Sequence, residues 1–280
     1  MSLQNFVPNV WSAQLLASLK KSLVFGQEGV VNRDYEGEIS QYGDTVRINS
    51  VGEVTVGNYS TNGTLNLQQL DSTQQSLFID QQKYFNFMID DVDKAQANPK
   101  VMQQAMIEAA YGLRDKADQY IAGLYTYAGN EIGGAGGVAL TKDNAYEYLV
   151  DLSVLLDEKN VPAGRWVIVP AWVHGLLLKD DRFVSTGAQA AVDTLANGMV
   201  GRAAGFDILV SNNVSKSADA DPVYRAMAGY RGAISYAEQV SQVEAYRPED
   251  RFADAVKGLH IYGAKVVRPN GLAILNCKKS

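Results

Sequence analysis

The sequence predicts an α+β fold, and three stretches carry that prediction. A long alternating hairpin opens at Asp44, and one unbroken helical pattern of about thirty residues follows it from Asn98. After a central region mixing helix and strand, the pattern turns to strand alone beyond Asp221-Pro222.

Residues 1–42 read as an extended or partly helical arm. Trp11, Leu15, Leu16 and Leu19 form a short helical stripe ahead of Lys20-Lys21, and Tyr42-Gly43-Asp44 turns the chain into the hairpin. There Val46, Ile48, Val54 and Val56 share one face, while Thr45, Arg47, Asn49, Glu53 and Thr55 share the other. A period of two marks a strand with one wet side. The apex, 57–64, is rich in turn formers and contains Asn58, Tyr59 and Asn62. On the return, Leu77, Ile79, Phe85, Phe87 and Ile89 stay in phase, with Gln81 and Lys83 interrupting that face. So few apolar residues near the tip cannot hold a hairpin by themselves. It must lie on a core of its own chain or on a neighbouring subunit.

The helix is better specified. Asn98 is a favoured N-cap, and Pro99 suits the first helical position, where no N–H is needed. Met102, Met106, Ala109, Leu113, Ala117, Tyr120 and Leu124 form an apolar stripe, with Gln103, Gln104, Glu108, Arg114, Asp115, Asp118 and Gln119 on the other faces. A run to Ala128 would span roughly 45 Å. The glycine-rich stretch 129–137 ends it and reads as a flexible link.

In the central region Thr141 can cap a helix in which Ala145, Tyr148, Leu149, Leu152 and Leu156 recur at helical spacing, ended by Val161-Pro162-Ala163-Gly164. Residues 165–169 are a buried-strand candidate stopped by Pro170, with a short helix expected over 171–178. Residues 185–205 are small and loop-prone, and 206–210 form another strand. Further strands are expected over 224–227, 233–246 and 259–267, with the charged corner Arg247-Pro248-Glu249-Asp250-Arg251 between the last two.

Composition excludes several classes of function. The 280 residues suffice for one large domain or two ordinary ones, and a hydrophobic fraction of 46% with 20% charged residues suits a folded protein. With 25 basic against 31 acidic residues, the net charge is −6, which argues against a nucleic-acid-binding surface. No run approaches about eighteen apolar residues, and the first residues lack a signal peptide's basic start and apolar core, so an intracellular product is expected. Cys277 has no partner for an intrachain disulfide. Together with only His174 and His260 it cannot supply a closed zinc site.

Sharper readings fare poorly against plain ones. The glycines of 198–205 precede a strand, whereas a phosphate-cradling loop follows one and opens a helix. Gly133 to Gly137 has no preceding strand and no Lys-Ser/Thr ending. Asp90, Asp91 and Asp93 match no calcium loop and fit a solvated junction. Neither histidine sits in a nucleophile motif, so each reads as a core or surface residue. The 15 tyrosines lack interleaved basic residues and read as core and interface side chains.

Several stretches, in this order, resemble the major capsid proteins of tailed bacteriophages, the Hong Kong 97-type coat fold. Gly43-Asp44-Thr45-Val46-Arg47-Ile48 is similar to that family's entry into its extended loop, and the Asn98-Pro99 helix to its spine helix. Arg165-Trp166-Val167-Ile168-Val169-Pro170 with its helix, and then Gly198-Met199-Val200-Gly201-Arg202-Ala203-Ala204-Gly205-Phe206, resemble its axial domain. The stretch from Tyr246 to Asp254 with His260-Ile261-Tyr262-Gly263-Ala264-Lys265-Val266 resembles the closing sheet of its peripheral domain.

The resemblance covers nearly the whole chain. It implies an arm (1–42), an extended β-hairpin loop with its return strand (43–90), a peripheral domain (91–138 plus 222–280) with its spine helix (98–128), and an axial domain (139–221). It implies a shell subunit without catalytic residues, cofactor or metal, assembling into hexamers and pentamers around double-stranded DNA in the host cytoplasm. A portal protein is expected as a partner. Because the chain reaches its arm almost at once, a separate scaffolding protein or the removal of an earlier segment is implied, and the initiator-like Met1 favours the former. Subunit contacts are expected at Asn58, Tyr59 and Asn62 of the apex and at Arg247, Glu249, Asp250 and Arg251 of the corner. The lysine cross-link of some relatives is not carried over, since no lysine lies between Lys21 and Lys83. An encapsulin-type compartment shell shares these features, and a soluble α+β enzyme is the alternative of another class.

Overall fold

The computed structural model describes residues 24–35, 45–51, 72–90, 100–180, 201–250 and 253–280, and among them are three sheets and one long helix that packs on the two larger sheets. Strands β1 (Thr45–Val51) and β2 (Ser72–Phe78) pair antiparallel, with Val46 opposite Leu77. Val46, Ile48, Leu77 and the following Ile79 are buried while Thr45 and Arg47 are exposed, as the period of two requires. This base of the hairpin rests on its own chain, against Tyr35, Ala237, Leu259, Ile261 and Val267. The apex lies outside the described residues.

The return run is two strands rather than one. After Ile79-Asp80 the chain continues as β3 (Gln81–Asp90), which leaves β1 and joins a three-stranded sheet of order β10-β11-β3, where β10 is Ile234–Tyr246 and β11 is Ala253–Val266. Gly263 of β11 makes room at the break: a Cβ there would stand 2.3 Å from the Phe78 carbonyl oxygen. Phe85 and Phe87 keep their phase and pack beneath the helix.

Helix α1 (Lys100–Gly123) continues into a 3₁₀ turn, Leu124–Tyr127, so the helical path ends where expected but with a tighter last turn. Asn98 and Pro99 lie outside the described residues. Met106, Ala110 and Leu113 bury against Val243 and Val256 of the three-stranded sheet. Further along, Ala117, Ile121 and Ala122 enter a second core with Phe25, Trp166, Met227 and Tyr236. The stripe is thus wider than read from the sequence: Ala110 rather than Ala109 is deeply buried, and Tyr120 is half-buried, its ring edge-on to Tyr262. The helix touches two bodies at once, and that broadens its apolar arc.

The larger sheet has the order β4-β12-β9-β6-β8-β7, with β5 also on β12. Its strands are β4 (Asn130–Ile132), β5 (Val138–Leu140), β6 (Arg165–Val169), β7 (Arg202–Ala203), β8 (Phe206–Val210), β9 (Tyr224–Tyr230) and β12 (Leu272–Lys279). Helices α2 (Ala145–Glu158) and α3 (Ala171–Leu178) cover one face through Leu149, Leu152, Leu156, Val173 and Leu177. The other face carries Trp166, Ile168 and Met227 toward α1. Strands from 222–280 therefore enter both larger sheets.

Several sequence expectations change here. The glycine-rich stretch is no bare link, because β4 and β5 pair in parallel with β12 and Gly133, at φ 94°, comes so close that a Cβ would stand 2.5 Å from the Asn276 carbonyl. Thr141 does not cap α2. Asn144 holds the cap position, and its Oδ1 accepts from the Thr141 N–H at 2.7 Å. That helix stops at Glu158, before Val161, with Asn160 in the left-handed region at φ 54°. The chain from β7 to β8 turns through Ala204 and Gly205, both at positive φ, a tight hairpin rather than a phosphate loop. Strand β11 starts at Ala253, earlier than expected, and β12 was not anticipated at all, although Leu272 to Cys277 are buried throughout.

Candidate assembly surfaces

Corner residues 247–250 follow directly on β10 and lie between it and β11, two strands of 13 and 14 residues. Arg247, Glu249 and Asp250 are exposed there together, while Arg251, like Asn58, Tyr59 and Asn62, lies outside the described residues. Below the turn, the sheet face opposite α1 carries an exposed row. Tyr84 is 79% and Met88 47% exposed, beside the half-exposed Tyr246, whose hydroxyl accepts from Asn86 at 3.0 Å. The Lys257 ammonium sits 2.9 Å from Glu244 and over the Tyr246 ring. Its hydrogen bond to Glu244 raises its pKa. On α1, Ile107 and Tyr111 are also exposed, with the Arg114 guanidinium stacked 4.5 Å from the Tyr111 ring. Exposed aromatic and apolar side chains on regular elements suit packing against another surface.

Two buried polar centres were missed in the sequence, and both hold the short segment 24–35. At one, the Arg33 guanidinium pairs with the Glu238 carboxylate, which also accepts from the Tyr236 hydroxyl at 2.7 Å and lies 3.2 Å from His260 Nε2. Burial works against the charge on Glu238, but His260, Arg33 and Tyr236 outweigh it and bring the pKa down to about 2. Burial and the adjacent carboxylate push Tyr236 well above its ordinary value. The Asn32 N–H donates to the Ile234 carbonyl and its carbonyl accepts from the Tyr236 N–H, a bridge along the outer edge of β10. A signal did exist: Glu238 shares strand phase with the buried Tyr236, where a charge needs a partner. His260 is fully buried, one of the two readings left open for it.

At the other centre Asp118, expected on an exposed face of α1, is buried. Its Oδ1 accepts from the Val24 and Phe25 N–H groups at 3.0 and 2.8 Å. Its Oδ2 accepts from Ser211 Oγ at 3.4 Å and Asn213 Nδ2 at 3.1 Å. Burial raises its pKa, and these four bonds oppose that. Helical periodicity alone could not locate it, since its partners are far away in sequence.

Candidates for chemistry do not converge. Among the described residues no three His, Cys, Asp or Glu side chains gather as metal ligands, and no helix is long and apolar enough to cross a membrane. Asp91 and Asp93 lie outside those residues. Burial pushes the Cys277 thiol up to about 12, so it stays a protonated core residue.

Comparison with known proteins fits a surface-bearing molecule. The profile described as phage capsid protein matches residues 74–275. A chain from Mycobacterium phage Che8 is 30% identical over 98% of both chains, with a TM-score of 0.74. The capsid structure of cyanophage P-SCSP1u is 19% identical over 93% of this chain and 90% of that one, TM-score 0.71. A virus-like particle from Pyrococcus furiosus shares the fold at 14% identity, covering 95% and 98%, TM-score 0.59. No curated protein matches.

The fold is thus that of Hong Kong 97-type shell proteins, with long helix, hairpin and two larger sheets in the expected order. The chain belongs to the phage capsid protein family. It is a structural component of a virion shell and not an enzyme.

Proposed function

We propose that this chain is a major capsid protein whose copies form hexamers and pentamers and close an icosahedral phage head around double-stranded DNA. The observation that carries the reading is the family match across most of the chain, joined to exposed aromatic and charged residues on the outer face and turn of the three-stranded sheet. One subunit offers several quasi-equivalent contacts, and many weak interfaces together close the shell. The apex, with Asn58, Tyr59 and Asn62, reaches a neighbouring copy, and the corner, Arg247 to Arg251, pairs charges across subunits. The arm over 1–42 and the extended loop with its return strand over 43–90 are kept as expected, whereas the axial unit takes in β9 and β12 of 222–280, which pair into one sheet with β6 and β8. The net charge of −6 supports loose containment of DNA, since a negative wall repels phosphate. Assembly takes place in the host cytoplasm with a separate scaffolding protein and a portal protein.

Negative-stain electron microscopy and sedimentation of the expressed chain test this reading. Closed particles of megadalton mass are expected, whereas a small soluble oligomer under all assembly conditions overturns it. The likeness to the Pyrococcus furiosus virus-like particle favours keeping a compartment shell as the second reading. Nuclease-protected DNA inside native particles supports the phage head, and protein cargo without DNA supports the compartment.

A further inference from the structure

Three parts of the chain, distant in sequence, meet at one side chain. Asp118 lies on α1, Val24 and Phe25 begin the docked segment, and Ser211 and Asn213 belong to the loop leaving β8 of the larger sheet. That loop is continuous with the sheet, since the Ser211 N–H donates to the Val169 carbonyl of β6 at 3.1 Å. Asn213 Nδ2 also donates to Asp115 Oδ1 at 2.8 Å, one helical turn before Asp118. The other end of the docked segment is fixed to the three-stranded sheet by Arg33 and Glu238.

Apolar burial drives these parts together without direction of its own, so contacts of defined geometry refine the angle that packing allows. A cleft of about 210 Å³, lined by Val24, Tyr111, Arg114, Asp115 and Asn213, lies beside the junction, so side-chain packing does not fill it. The directional contacts there are the hydrogen bonds to Asp118 and Asp115. We infer that Asp118 is a positioning residue for assembly: it sets the angle between α1 and the larger sheet, and so the curvature at which copies pack. Copies related by a rotation close into a shell only when that rotation is right. A small change in the angle within one subunit is repeated at every contact.

This inference rests on the shell reading, and its test separates the two. Ser211→Ala with Asn213→Ala removes both side-chain donors on the loop side and leaves the bonds from Val24 and Phe25. Asp118→Asn is made in parallel, placing an amide N–H where an acceptor stood. Each variant is compared with the parent by thermal unfolding and by particle radius in electron microscopy. Expected are folded subunits that lose the parent's single radius and give mixed radii, tubes or open sheets. A lower unfolding temperature with the parent's radius, at whatever yield, shows a merely structural role and overturns the inference, as do folded subunits that no longer associate. If one variant does not fold, the other is decisive. A parent chain that forms no particles overturns the shell reading and this inference with it.

Discussion

His260 Nε2 lies 3.2 Å from Glu238 Oε2, and neither side chain is in water. The pair bridges adjacent strands, β11 and β10, and the Arg33 guanidinium closes it from the docked segment. A buried carboxylate with three partners is stabilising only while it is ionised and all three are in place.

The pH dependence follows from the depressed pKa of Glu238. Its folded value is about 2 against an ordinary 4.5. The stability it contributes is present above 4.5 and is lost as pH falls through about 2. Thermal unfolding of the parent should weaken more steeply across that window than that of Glu238→Gln. Equal slopes would exclude Glu238 as the source. Arg33→Met, which leaves the carboxylate short of a counter-charge, should cost about 3–5 kcal/mol at neutral pH.

Leu113 tests the register of α1. It is 4% exposed in the cluster with Met106, Val243 and Val256. Leu113→Ala should cost about 2–5 kcal/mol through lost burial and the cavity left behind. Chemical denaturation measures it, and an unchanged midpoint contradicts the packing described.

Two glycines should respond oppositely to alanine. At Gly263 a Cβ meets the Phe78 backbone carbonyl, which cannot step aside as a side chain can, so Gly263→Ala should destabilise by about 1–3 kcal/mol or more. At Gly112, exposed on α1 with nothing near its Cβ position, Gly112→Ala should stabilise folding by about 1 kcal/mol. Calorimetry of both variants checks the signs.

The corner is tested by charge reversal. Glu249→Lys with Asp250→Lys should spare subunit folding, since exposed pairs contribute under about 1 kcal/mol. The same change should block shell closure at low salt, with recovery as salt screens the repulsion. Equal particle yields for variant and parent at low salt, measured by sedimentation, return this turn to a solvated role.

Removal of the hairpin apex separates folding from assembly. The hairpin base is anchored on its own chain at Val46, Ile48, Leu77 and Ile79, so deletion of 58–63 should leave a soluble, folded subunit. Particle formation should then be poor. Normal shells from the deleted chain would count decisively against an interface at the apex.

Local pattern was enough wherever a segment's neighbours follow from its own period. Strand 165–169, helix 171–178 and strand 206–210 were read to the residue, because Pro170 and flanking glycines punctuate them. Val46 and Ile48 were assigned to the buried face by alternation alone, and the order of the pieces was enough to suggest the shell fold. The tertiary structure decided what depends on distant partners. Strand β12 escaped because a run buried on both faces has no period to read, yet it sits inside the larger sheet between β9 and the short β4 and β5. The return strand breaks at Ile79-Asp80 because the distant β11 captures its second half, pairing Tyr262 with Gln81 and Ala253 with Asp90. Asp118 reads as part of a polar helix face, and only the fold brings Val24, Phe25 and Asn213 against it, as it brings Arg33 against Glu238. Burying a charge is favourable only with partners in place, and those partners are supplied by the fold rather than by the neighbouring sequence.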